Sequence, residues 1–290
     1  MSRSRASSKK HKMNFRPRAF VSESVIFLLT QFLGLLVGIK LASFGLVAPQ
    51  TTTAVETVQY IWPFILSFSI ATVAIIIGLK YLKGGSIFKG LMAFLVFYGG
   101  FIVFSVFIPD LIALVLAITL VVLRFKIANL LTQNIAMMIA IAGIGAMIGS
   151  ELPIYGVILL LAILSVYDFV AVFKTKHMVS MFKGMFEKGA PFTIIVPEKL
   201  NHVKAKVKKT KPGEGKFLML GTGDLAFPII LAVSVIQSGL INSFAVILGA
   251  FIGLIIVHSL LMTGKYKAIP ALPPIAIFSV LFFLISHFIL

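Results

Sequence analysis

Long apolar runs alternate with short polar breaks along almost the whole chain. A helix crosses the ~30 Å hydrocarbon core of a bilayer in about 20 residues. Runs of that kind lie near 20–46, 61–82, 88–108, 127–149, 152–173, 217–237 and 243–262. A shorter run, 110–123, has charged residues on both sides and reads as a short span. The last, 275–290, reaches normal length only if "AIPALPP" (268–274) also lies at membrane level. The pattern predicts an all-α polytopic membrane protein with nine transmembrane helices. The apolar run after the basic N-terminal segment is long and more follow it, unlike the short core of a cleaved signal peptide.

Charge then orients the spans. Of 26 lysines and arginines, all but Lys40 fall in the tail 1–19, in 80–89, at Arg124 and Lys126, in 174–216, or at Lys265 and Lys267. With nine spans these positions share one side, and positive residues mark the cytoplasmic side of short loops. The expected topology is N-terminus cytoplasmic, C-terminus extracytoplasmic. The expected organisation is a basic cytoplasmic tail (1–19), transmembrane helices one to six (20–173), a basic cytoplasmic loop (174–216), and transmembrane helices seven to nine (217–290). Within the loop, "FTIIVP" (192–197) is prone to form a strand.

Composition agrees with a membrane setting. The 290 residues are 59% hydrophobic and 12% charged, with a mean hydropathy of +1.08. The net charge of +17 would suit nucleic acid on a soluble domain. Here it lies on the face apposed to anionic lipid headgroups, so lipids are the expected partner and nucleic acid is not. Cysteine is absent, which excludes disulfides and thiolate metal sites.

Seven of the nine acidic residues fall at span edges or in connections. Asp168 and Asp224 alone lie inside apolar runs. A charge at the bilayer centre costs about 2.5–3.5 kcal/mol on insertion scales, so each is a functional candidate. Asp168 precedes Lys174 by six residues and Asp224 follows Lys216 by eight. At 1.5 Å per helical residue both would stand about 9–12 Å above the inner boundary. Adjacent antiparallel helices pack together, which brings the two carboxylates face to face.

Two close carboxylates cannot both ionise cheaply, and they share a proton. The ionised partner can then take a proton from water while the other donates to a carbonyl oxygen. That is peptide hydrolysis with no metal and no cofactor. The same residues also suit a proton or cation transporter or leak channel, the commoner setting for lone intramembrane aspartates. No HExxH or P-loop offers other chemistry. His258 and His287 read as helix-contact residues.

The surrounding motifs bear on the choice. "VYDFVAVF" (166–173) resembles the YD motif of presenilins and signal peptide peptidases. "GTGD" (221–224) resembles their GxGD motif, and "PALPP" (270–274) contains their PAL motif. The order, the span numbers and the basic loop between the aspartates agree too. The resemblance implies an intramembrane aspartyl endopeptidase with Asp168 and Asp224 as the catalytic pair. It implies that Gly221, Gly223, Pro270, Ala271 and Leu272 support the site, with Tyr167 and Thr222 beside it. Thr222 stands where many relatives have leucine, which bears on substrate preference.

Further expectations follow from the resemblance. Substrates are transmembrane helices of membrane proteins, entering laterally and running N-out/C-in. The protein is a multi-pass protein of the plasma membrane. Its compactness resembles a microbial, archaeal-type presenilin homologue that works without obligate accessory subunits.

Elementary chemistry supports several of these positions. Glycines at 221 and 223 leave room beside Asp224 for backbone or substrate. Pro228 removes the donor that would bond the Asp224 carbonyl. "PALPP" either breaks the backbone at membrane depth, where it can meet a substrate, or simply starts a helix.

Overall fold

The computed structural model describes residues 17–48, 85–175, 191–197, 205, 217–263 and 269–289, with scattered positions between 56 and 70. Most of the run near 61–82 and most of the basic loop lie outside the described residues. Eight helices and a two-stranded hairpin account for nearly all of what is described. They are α1 (Pro17–Ser43), α2 (Gly85–Ser105), α3 (Asp110–Lys126), α4 (Leu130–Glu151) and α5 (Ile154–Val170). A π-helical turn, Ala171–Thr175, continues α5. Then come β1 (Thr193–Pro197), β2 (Phe217–Gly221), α6 (Thr222–Ser234), α7 (Leu240–Met262) and α8 (Leu272–Ile289).

Helix starts follow local chemistry. Pro109 and Pro153 sit at the N-caps of α3 and α5, where a missing N–H breaks no helical bond. Asn129 caps α4 by accepting the Thr132 N–H at 2.8 Å. Gly239, at φ +119°, makes the reversal between α6 and α7. Among the described residues, six helices are long and apolar enough to cross a membrane, and α6 is a shorter apolar helix.

Lipid is as apolar as these helix faces, so close packing must hold them together. Glycine provides it. A Cβ on Gly34 or Gly38 of α1 would sit 2.5 Å from Ile229 or Val233 of α6. A Cβ on Gly149 of α4 would sit 2.6 Å from the Ile230 carbonyl of α6. Gly99 of α2 meets Gly143 of α4, and Gly249 of α7 meets Phe278 of α8, backbone to backbone. The centre of the protein is therefore α6, gripped by α1 and α4. Leu225, Ile229, Leu231, Ala232 and Val233 are all fully buried.

One expectation is corrected here. The apolar run 217–237 is not one helix. Phe217–Gly221 form β2, which pairs antiparallel with β1 in the register Thr193↔Gly221 to Pro197↔Phe217. The strand expected at 192–197 does form, at Thr193–Pro197. It has captured the start of the next run, because "FLMLG" is as apolar for a sheet as for a helix. Asp224 therefore lies in the first turn of α6, not partway up a long span.

Two amides of α4 anchor the hairpin. The Asn134 side chain donates to the Ile195 carbonyl at 2.8 Å and accepts its N–H at 3.0 Å, as a neighbouring strand would. Gln133 donates to the carbonyls of Pro191 and Thr193 at 2.8 and 3.2 Å. The outer edge of β1 is thus satisfied by side chains.

Candidate active site

Gly221 ends β2 and is the N-cap of α6, so Asp224 is the third helical residue. From there its carboxylate turns back toward the Gly221 N–H, the half of a capping box that a glycine N-cap allows. A Cβ on Gly221 would stand 2.8 Å from Asp224 Oδ2. A side chain at 221 would have to push the Asp224 carboxylate out of the space it occupies. Gly223 is under less pressure, since an added Cβ would meet only the Phe227 ring at 3.3 Å. Thr222 is the first helical residue and is half-buried.

Asp168 comes from the last turn of α5, just before the π-helical turn. Its Oδ2 accepts the backbone N–H of Leu272 at 3.3 Å. Leu272 is the first residue of α8; Pro270 and Ala271 precede that helix. Pro273 and Pro274 fall in its first turn, where no helical donor is needed. "PALPP" is thus a helix start whose first N–H is turned on Asp168. Pro270 and Leu272 are buried, and Ala271 packs partly buried against the core.

Asp168 and Asp224 stand close enough for their charges to act on each other. The structure thus brings together Asp168, Asp224, Gly221 and Leu272 from α5, α6, β2 and α8. Tyr167 is set apart. It is 69% exposed, so it does not pack into the bundle.

Other polar residues inside the helices lie around the site. Glu23 of α1 and His258 of α7 form a buried pair, Oε2 to Nδ1 at 2.8 Å. Phe20 lies 4.5 Å from the His258 ring. His258 is therefore a helix-contact residue. Gln31 of α1 donates to the Leu225 carbonyl, one residue past Asp224, at 2.9 Å. The signal for Gln31, Gln133 and Asn134 was an amide inside an apolar run, which has to find a partner within the protein. Among the described residues no group of three or more His, Cys, Asp or Glu is placed to hold a metal ion.

A family model described as "Signal-peptide peptidase, presenilin aspartyl protease" matches residues 24–290, nearly the whole chain. The chain belongs to this family. It is accordingly an aspartic-type endopeptidase of the intramembrane class and a multi-pass integral membrane protein. Two solved structures share its fold, both titled as a presenilin family intramembrane aspartate protease. The one in space group P2 has a TM-score of 0.64 at 21% identity, and the one in C222 has 0.62 at 18%. Each alignment covers 92% of this chain and 96% of the other. A search of curated proteins finds no sequence match.

Proposed function

We propose that Asp168 and Asp224 are the catalytic pair and hydrolyse peptide bonds within transmembrane helices of other membrane proteins. One carboxylate, ionised, takes a proton from water as that water attacks the scissile carbonyl. The other, protonated, gives its proton to the carbonyl oxygen. As the C–N bond of the resulting diol breaks, the first carboxyl gives the water's proton to the leaving amine and the second regains a proton from a diol hydroxyl, so each cycle consumes one water and leaves the pair as it began. The observation that carries this reading is the convergence itself: α5, α6 and the start of α8 place two carboxylates in mutual range, with Leu272 oriented on one of them.

The hairpin extends the reading to the substrate. Among the described residues β2 has no strand on its second edge, and it leads directly into Asp224. An unwound substrate segment added there would bring its peptide bonds to the pair. Thr222 and Gly223 flank that route, Pro270 and Ala271 close it on the other side, and Tyr167 stands on the outward face of α5 from which the substrate enters. Substrates enter laterally past the exposed face of α5 and run N-out/C-in. The chain keeps the basic loop 174–216 cytoplasmic, spans the plasma membrane nine times and acts without obligate accessory subunits, with lipids as its other partner. The family and fold do not favour ion transport by the same aspartates.

The test uses purified protein in detergent or proteoliposomes with single-span substrates in each orientation. Mass spectrometry of products should show cleavage inside the span, preferring N-out/C-in. Cation flux that depends on both aspartates, with no cleavage of any substrate, would overturn the reading.

A further inference from the structure

We infer that Gln31 is a positioning residue for Asp224, and that the first span is part of the catalytic apparatus rather than only a membrane anchor. This rests on the reading of Asp168 and Asp224 as the pair.

The argument begins with α6. Its first turn is weakly held by its own ladder. Pro228 has no N–H, so the Asp224 carbonyl lacks its helical donor. The turn that carries the carboxylate needs support from outside the helix. Gln31 does not reach the Asp224 carbonyl itself but holds the next one, its Nε2 donating to the Leu225 carbonyl at 2.9 Å. Gln31 and Leu225 are both fully buried. Above this bond, Gly34 meets Ile229 and Gly38 meets Val233. Gln31, Gly34 and Gly38 thus form one face of α1, matched to Leu225, Ile229 and Val233 along α6. The glycines set how closely the helices approach. The amide adds direction, because a hydrogen bond fixes the rotation of the first turn as apolar contact does not.

A second feature separates positioning from simple packing. The other amide atom, Gln31 Oε1, is buried and makes no hydrogen bond among the described residues. A half-satisfied buried amide is less stable than an apolar side chain of similar volume. Gln133 Oε1 is bare as well, but Gln133 holds the hairpin at two carbonyls, whereas the single bond of Gln31 falls on the residue next to Asp224. The structure therefore assigns Gln31 to function at some expense of stability.

The experiment measures Gln31→Leu in the full-length protein, with Gln31→Met as a second variant that keeps length without a donor. The expected result is a fall of about tenfold in kcat, KM within about twofold, and a melting temperature unchanged or raised. A kcat within about twofold of wild type in either folded variant overturns the inference. So does a loss of activity explained by a lowered melting temperature, or failure of both variants to fold, since the amide would then be a folding element. Asp224→Ala is measured alongside. Full activity there would sink the catalytic-pair reading itself, whereas an inactive Asp224→Ala with normal Gln31 variants sinks only this proposal.

Discussion

Asp168 and Asp224 stand on helices of opposite character. α6 is enclosed, with most of its residues buried between the glycine faces of α1 and α4. α5 is open. Only 22% of its apolar window lies inside the protein, and Ile163, Val166, Tyr167 and Phe169 are each at least half exposed. In a closely packed region side chains have few alternative positions; in a loosely packed one the backbone itself opens more readily. The contrast teaches that the pair is assembled from one side. Asp224 is the fixed reference, and Asp168 is brought to it across a sparse interface by the Leu272 N–H. Under the proposed function, the open face of α5 is the side on which a substrate helix would approach from lipid.

The sharpest way to break this comparison is at Gly221. A methyl group there would meet the Asp224 carboxylate at 2.8 Å. Gly221→Ala is expected to lower kcat by about a hundredfold or more while the protein still folds. Cleavage assays with circular dichroism check both. On the α5 side, Leu272→Pro removes the N–H that holds Asp168. A hydrogen bond to a charged group is worth about 1.5–3 kcal/mol, so a loss of about ten- to a hundredfold in kcat/KM is expected. Stability should divide the helices too. Gly149→Ala forces a Cβ onto the α6 backbone and should cost about 1–3 kcal/mol in reversible unfolding. Ile163→Ala, on the exposed face of α5, should change stability by no more than about 0.5 kcal/mol. Equal costs at the two positions would remove the distinction.

The two aspartates and the PAL element were legible because carboxylates and prolines are rare in apolar runs and expensive at membrane depth. The long helices were legible for the same reason of composition, and their described bounds lie within a few residues of the apolar runs. The break at Gly221 was not. Phe217–Gly221 and the helix after them share one apolar character, and only pairing with β1 tells them apart. A continuous helix from Lys216 therefore misplaces the depth of Asp224, although the neighbour that it predicts, Asp168, is the one the structure brings near. Gln31 and Asn134 stayed hidden because an uncharged amide leaves no mark on a charge map. Their partners lie 194 and 61 residues away.

The most direct measurement compares Asp168→Ala and Asp224→Ala with wild type, each purified and shown to be folded, on one single-span substrate with products identified by mass spectrometry. Two mountings that serve one pair require that neither mutant cuts, however different their helices. Intramembrane cleavage by either single mutant at the wild-type rate would contradict a catalytic pair made of these two residues.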